Sequence, residues 1–557
     1  MIKVRNQEQI SIPGLETWRT IFSLKKLSIL ENSWAGVFRK HILSLLPAEQ
    51  LFKLYTFNRG RPTKELFAIV GAAVLQQFFD LTDEETIEEL AFNQQWHFAL
   101  ECFAEEDQII SLKTLWTMRN QLVKHGLSDS IFSVTTDRLL KYFDVDVSKQ
   151  RLDSVHVHSN MARLGRIRIL VRTMIKFIEN LKRQNLELFE NEISSEMIEK
   201  YLKKSDNNYF GQVKPSATER TLQLLAEDMY ALKLNFENEE KVSQMSSFKL
   251  LERVFSEHCF VESGQVQVRS SKEVSSASVQ NPSDPDAGYD GYKGQGYQTQ
   301  ILETYTREED RENPEEPKLD LITYVETESA DKHDSNALEP AIKDVKERGL
   351  ECEKILADTL YGGNENVEKA KKCGVKVVAP IPGKPSENGL DSFEYNSDSL
   401  EIISCPAGKK PDKIKHNKKP SITSIWYEQT CANCPFADSC PTREGKQGRK
   451  FYYTKDSLKS FFRRKYEESI EFEDEYRYRS GIEATNSRFI LMTSARRSRY
   501  RGLEKMKFAQ KLKALAINVF RVVKYRKKLG KSVDISYFSF NNFIFSSESD
   551  FKLEFAA

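Results

Sequence analysis

Apolar residues recur at helical spacing through the first quarter of the chain and at strand spacing later, and this change of period divides it. From about Gly14 to Phe143 the pattern is helical. Lys64–Phe79 reads as one helix. The Leu81-Thr-Asp turn supplies an N-cap for another over Glu84–Phe92, and Ser111–Lys124 is a third. Asp144–Val157 alternates as a strand, after which Arg166–Tyr201 and Ser216–Phe260 return to helical periodicity with one charged side. A Ser-, Pro- and Asp-rich stretch, Ser270–Gly288, ends that run. Tyr289–Tyr305 and Leu319–Glu328 alternate as strands, with Gly294 and Gly296 between the two halves of the first. Ala337–Arg348 reads as a helix, Lys354–Asp358 as a short strand, Asn364–Lys372 as a helix and Val375–Ala379 as a strand. Ile381 to about Tyr466 is loop-rich, and Tyr476–Glu483 is helical again.

This element order predicts an α/β ribonuclease H-like catalytic core with a helical N-terminal domain, a helical insertion and a Cys-rich insertion. The divisions fall at 1–143 (helical, with helix-turn-helix spacing compatible with DNA binding), 144–380 (first part of the core, its helical insertion at about 160–270), 381–466 (Cys-rich insertion), 467–530 (C-terminal helices of the core) and 531–557 (tail).

At 557 residues the chain is long enough for several domains. Its net charge of +1 rules out global basicity as a pointer to nucleic acid. The distribution of charge says more. Arg496 to Lys528 holds thirteen Lys or Arg against the single acid Glu504, the pattern expected of one nucleic-acid-facing surface. The N-terminus lacks an apolar signal-type core, and the most apolar run, Phe67–Phe79, is too short to span a bilayer. Eight cysteines are too few for a disulfide scaffold. A cytoplasmic protein with no membrane partner is expected, nucleoid-associated when bound to DNA.

Three stretches end on an acid: Arg151-Leu-Asp153-Ser, Lys354-Ile-Leu-Ala-Asp358-Thr and Tyr476-Arg-Tyr-Arg479-Ser-Gly-Ile-Glu483. The first two read as short apolar strands that deliver a carboxylate at their tip, with Asp144 and Asp146 competing candidates upstream. In the third, Tyr476, Arg479 and Glu483 stand at i, i+3 and i+7 on one helix face. Hard cations such as Mg²⁺ take oxygen ligands, and two of them can clamp both the attacking and the leaving oxygen of a phosphodiester. Arg479 suits bidentate phosphate recognition. Cys405, Cys431, Cys434 and Cys440 form a second cluster, whose thiolates would fit tetrahedral Zn²⁺. Reduced structural cysteines are the alternative. Cys102, Cys259, Cys352 and Cys373 read as core thiols. His156 and His158 alternate on the strand face opposite Asp153 and receive no role, while His333 and Asp334 form a loop pair near the third strand.

The chain resembles the bacterial insertion-sequence transposases of the DDE type, from the group with a Tyr-x2-Arg-x3-Glu signature and a cysteine cluster before the last acid. The matching stretches are Gly60-Arg-Pro62, Leu152–Met161, Gln280–Asp286, Gly291–Tyr297, Leu356–Gly362, Cys405–Gly408, Tyr478–Thr485 and Tyr500-Arg-Gly502. The resemblance implies that Asp153, Asp358 and Glu483 are catalytic and hold two Mg²⁺ (or Mn²⁺) ions. It also implies double-stranded DNA as substrate, both terminal inverted repeats and target, with a homodimer in the synaptic complex. Tyr476, Arg479, Arg488, Arg496, Arg497, Arg499 and Arg501 are the expected DNA contacts. One departure is local: where relatives carry a Lys seven positions after the Glu, Ile490 stands, leaving Arg488 or Arg496 as substitute contacts. A metal-dependent nuclease or junction resolvase on the same fold, and a decayed or repurposed transposase that only binds DNA, are the rival readings.

Overall fold

The computed structural model describes residues 18, 21–53, 65–203, 213–309, 317–385, 389–417 and 421–530. Gly60-Arg-Pro62 and the 531–557 tail lie outside the described residues.

The principal N-terminal helices are α1 (Leu24–Glu31), α2 (Trp34–His41), α3 (Leu66–Phe78), α4 (Asp83–Phe92), α5 (Gln94–Leu100), α6 (Leu112–Lys124) and α7 (Leu127–Tyr142). All but α7 start on a side chain that accepts otherwise orphaned amides. Glu65 accepts from Phe67 and Ala68, and Ser111 accepts from Thr114. Thr82 and Glu85 form a reciprocal capping box at the head of α4. Every residue of α3 is buried, and among the described residues no single helix is long and apolar enough to cross a membrane.

The central sheet comprises β1 (Lys149–His158), β4 (Gly288–Asp290), β5 (Gly294–Thr304), β6 (Ile322–Ser329), β7 (Lys354–Ala357) and β8 (Lys376–Val378). Its order is β4-β5-β1-β7-β8, with β6 also pairing β5. β5 runs antiparallel to β1 and β6, whereas β1, β7 and β8 are parallel. The order agrees with a ribonuclease H-like core. The predicted first strand begins later than its alternation suggests: Asp144 occupies a left-handed turn (φ 48°), and Asp146 turns back to accept from the Ser148 amide. Gly296 is required where β5 meets β1, because a Cβ there would stand 2.2 Å from the Val157 carbonyl oxygen.

Between β1 and β4 the chain forms helices α8 (Arg166–Gln184), α9 (Leu186–Glu192), α10 (Thr218–Phe236) and α11 (Ser246–His258), then a hairpin of β2 (Cys259–Glu262) and β3 (Gln265–Val268). These helices bury their own apolar cluster, including Phe177, Met229 and Phe248. Helices α12 (Leu338–Glu347) and α13 (Asn364–Lys372) flank β7 and cover one face of its end of the sheet.

The stretch from Ile381 is more ordered than its sequence suggests. It contains β9 (Glu394–Tyr395), β10 (Ile402–Ser404), β11 (Lys413–His416), β12 (Ser421–Trp426), β13 (Arg443–Gly445) and β14 (Gly448–Thr454), the last four forming one sheet. It also has a small core of its own, built on Phe393, Ile422, Trp426 and Phe451. Strands of two to seven residues are too short to show a clear period.

Helices α14 (Lys455–Glu467), α15 (Ile470–Tyr476), α16 (Gly481–Thr493) and α17 (Leu503–Lys528) end the described chain. α17 is a central beam and only partly a basic surface. Its residues from Phe508 to Val519 are all buried, in a core that joins the N-terminal helices to Val155, Ile301, Ile322 and Val325 of the sheet. The expectation of one continuous DNA-facing stripe from Arg496 to Lys528 therefore fails at its centre. Buried lysines must be paired to offset desolvation. Lys511 meets Asp129 at 2.6 Å and Glu326 at 2.9 Å, and Lys513 meets Asp80 at 2.8 Å.

Candidate active site

Asp153 and Asp358 reach each other through strand register. β1 and β7 pair in parallel with Leu152 opposite Ala357, so the next residue on each strand is an acid, and the two stand side by side. Neighbouring strands are about 4.8 Å apart. Asp358 ends its strand by capping a short 3-10 turn, its carboxylate accepting from the Leu360 amide at 2.9 Å. Asp153 is the more enclosed. Burial pushes its carboxyl up to about 6, with Arg479 opposing and Asp358 and Asp334 adding to the rise.

Glu483 arrives from α16. The segment from Tyr476 to Glu483 is not one regular helix: Arg477–Ser480 tightens into a 3-10 turn between α15 and α16. Arg151 of β1 donates to the Tyr478 carbonyl at 2.8 Å, the same oxygen that accepts from the Gly481 amide across this turn. Its guanidinium lies against Gly481, where a Cβ would stand 2.0 Å from Nη1. Glycine in the Ser-Gly-Ile-Glu stretch is thus dictated by an arginine 330 positions earlier. From within this turn Arg479 donates to Glu483 Oε1 at 2.8 Å and contacts Asp153 Oδ2 at 3.4 Å. One guanidinium joins two of the three acids. Asn486, one turn beyond Glu483, donates to the same Asp153 oxygen at 3.0 Å.

Beneath these acids lies a buried ionic cluster that sequence reading missed. Glu303 of β5 is fully buried and meets Arg151 at 2.7 Å and Arg521 of α17 at 2.8 Å. Thr485 of α16 donates to it at 2.7 Å. Burial alone would raise the Glu303 carboxyl, but Arg521, Arg151 and Thr485 hold it below its ordinary range. The cluster ties strands β1 and β5 to α16 and α17, and so fixes the helix carrying Glu483 against the strand carrying Asp153. Its members are scattered through the sequence; the signals were an acid in the otherwise apolar Ile301-Leu-Glu stretch and an arginine just ahead of Asp153.

The other expected residues distribute unevenly. Tyr476 stacks on Phe472, with ring centroids 5.2 Å apart, and lies close enough for Asp358 and Asp153 to influence its hydroxyl. Arg488, Arg496, Arg497, Arg499 and Arg501 are exposed, on α16 and the loop that follows. Arg499 is also engaged with Asp80 at 3.2 Å, and Arg501 with Asn160 at 3.3 Å. That loop is pinned by Asp284 and Asp286: Asp284 accepts from Tyr297, Ser159 and the Gly502 amide, and Asp286 accepts from Leu503 at the head of α17. Ile490 packs half-buried against the main core, so its position is filled by an apolar contact.

Asp144 and Asp146 precede β1 and take no part in the site. Asp334 does approach it: buried, it accepts from Gln300 at 2.8 Å, and Gln300 in turn accepts from Tyr361 at 2.5 Å. His333 turns to the Ser335 amide. His156 and His158 pack edge to face on the other side of β1, and burial pushes His156 down to about 4.

The four clustered cysteines line one cavity of about 30 Å³ beside Trp426 and Arg449, and all are free thiols. Among the described residues no group of three or more His, Cys, Asp or Glu side chains is already arranged to hold a metal ion.

Residues 404–523 match the family model of the transposase DDE domain, and residues 28–121 match that of a transposase domain (DUF772). The first match contains Glu483, Arg479 and the four cysteines, whereas Asp153 and Asp358 lie outside both. No curated protein matches the sequence. The DDE-domain match implies a ribonuclease H-like fold, DNA binding and a transposase activity. With one transposase-domain match toward each end of a chain folded in this order, the matches support an insertion-sequence transposase of the DDE type.

Proposed function

We propose that this transposase cleaves the ends of its element and joins the freed 3′-OH to target DNA, with Asp153, Asp358 and Glu483 as its catalytic acids. The observation that carries this is the pairing of Asp153 with Asp358 on adjacent parallel strands while Arg479 links Asp153 to Glu483. The donor set fits hard divalent cations. Asp153 is a carboxylate whose burial is under-compensated, and the side-chain oxygen of the neighbouring Asn486 is buried without a partner. Asp153 and Asp358 would hold Mg²⁺ or Mn²⁺, with Glu483 completing the set. When bound, two such ions activate water and stabilise the departing 3′-oxygen.

The chain itself supplies position and charge. Arg479 is placed to take a non-bridging phosphate oxygen once its carboxylates are otherwise engaged, and Tyr476 borders the same space. Arg488, Arg496 and Arg497 continue the cationic surface along the DNA. No nucleophilic side chain is required, because first water and then the 3′-OH attacks phosphorus in line. Joining two ends calls for two copies in the synaptic complex, with terminal inverted repeats as the sequence read. The cysteine cavity would serve as a structural Zn²⁺ site that cross-links the short strands around it.

Nicking of a duplex carrying the element's terminal repeat, with Mg²⁺ present, tests the reading. Asp153→Asn, Asp358→Asn and Glu483→Gln are each expected to abolish it while retaining end binding. Full nicking by any one of them removes that residue from the site. End binding without nicking by the parent protein would instead make it a repurposed DNA-binding protein.

A further inference from the structure

We propose that Leu491 and Met492 form an apolar wedge that enters the base stack of the DNA end held at the active site. The proposal rests on the transposase reading above and adds to it a surface that reading does not use. Leu491 is 77% exposed and Met492 47%, adjacent on the last turn of α16. Their helix is not free to turn them inward. Ile482, Thr485, Phe489 and Thr493 are buried on the face opposite Leu491, Met492 stands about 100° further round at the edge of that face, and Ser494 ends the helix in the left-handed conformation (φ 48°). Two large apolar side chains are thereby held in water on the helix that carries Glu483.

The surroundings identify the occupant as DNA. Arg488 stands exposed one turn before the pair, and Arg496 and Arg497 are exposed just after it. Cations that neutralise phosphates on either side of an apolar wedge are the arrangement by which proteins unstack a base step. The exposed arc runs from Glu483 through Ser487 to Leu491 on one side of α16, so the wedge is continuous with the catalytic acid. Eight residues of helix place Leu491 about 12 Å along the axis from Glu483. This is roughly three to four base-pair steps, so the distortion belongs beside the cleaved phosphate. Unpairing there would let the strand bend toward Asp153 and Asp358.

The test uses full-length protein and duplexes carrying the element's terminal repeat, either fully paired or mismatched over the four positions next to the cleavage site. Leu491→Ala/Met492→Ala is expected to nick paired ends at least tenfold more slowly than the parent and mismatched ends at the parental rate. Leu491→Met should restore paired-end nicking when Met492 is kept. With Asp153→Asn protein, 2-aminopurine within four positions of the cut should brighten on binding, and adding the double substitution should remove that signal. Equal nicking of paired and mismatched ends by the double variant, or undiminished brightening, overturns the wedge. Loss of self-association by the double variant in sedimentation overturns it in favour of a contact between two copies. Failure of the transposase reading is separately visible, as nicking by Asp153→Asn itself.

Discussion

Replacing Asp153 by asparagine should make the metal-free protein more stable while destroying its cleavage activity. The reason is the cost of holding a carboxylate where only 14% of the side chain remains exposed and a second acid stands alongside. Its carboxyl is raised from 3.8 to about 6 even with Arg479 beside it. At about 1.4 kcal/mol per pH unit, that rise corresponds to ~3 kcal/mol. The folded protein binds this proton more tightly than the unfolded chain does. Hence the cost is absent below pH 3.8, grows as pH climbs to about 6 and is fully present above it. Asparagine removes the ionisation and keeps a similar shape. Denaturant unfolding in EDTA should therefore show parent and Asp153→Asn nearly equal at pH 4. At pH 8 the variant should be the more stable, by roughly 1–3 kcal/mol once rearrangement around Arg479 is allowed for. Mg²⁺ at a hundred times its Kd should then stabilise the parent by about 2.7 kcal/mol and leave the variant unchanged. A gap of the same size at both pH values, or a variant less stable than the parent at pH 8, would refute the argument that this acid is held under electrostatic strain.

Other expectations follow from the same geometry. Glu303→Ala leaves Arg151 and Arg521 buried without their shared carboxylate, and should cost about 3–5 kcal/mol in denaturant unfolding. Gly481→Ala puts a methyl 2.0 Å from the Arg151 guanidinium and shifts the helix bearing Glu483. Misplacement of about 1 Å commonly costs on the order of a hundredfold in rate, so nicking should fall by that order while circular dichroism stays unchanged. Elemental analysis of purified protein should find one Zn²⁺ per chain, lost in Cys434→Ser; a zinc-free parent would leave the cavity lined by Cys405, Cys431, Cys434 and Cys440 as ordinary thiol packing.

Much of this was legible along the chain where the determinants are local. Helices α4 and α6 begin where Thr82 and Ser111 announce them, because a cap acts within three residues of itself. Asp153 and Asp358 stood out as acids in short strands, and the parallel pairing of those strands brings them side by side, although Asp153 lies in the middle of β1 and not at its tip. The remainder depends on contacts between distant residues. Asn486 and Glu303 gain their meaning only when β1, β5 and α16 are side by side, and no period reveals that. The lysines of α17 misled for a related reason: a charged residue in an apolar helix looks solvated until its partners, Asp80 and Asp129 from over 380 positions away, come into view. Short strands hid the order around the cysteines in the same way.

The central position of α17 bears on how copies of such an element compete inside a cell. Its buried middle closes a core begun by helices near the other end of the chain, so the ribosome has released nearly all of the described sequence before that core is complete. A copy cut short by a frameshift or an early stop before α17 leaves the apolar sides of α3, α7 and β6 facing water. Such products are expected to be insoluble and degraded. They would not persist as folded DNA-end binders, and cannot act as dominant inhibitors of an intact transposase made by a neighbouring copy.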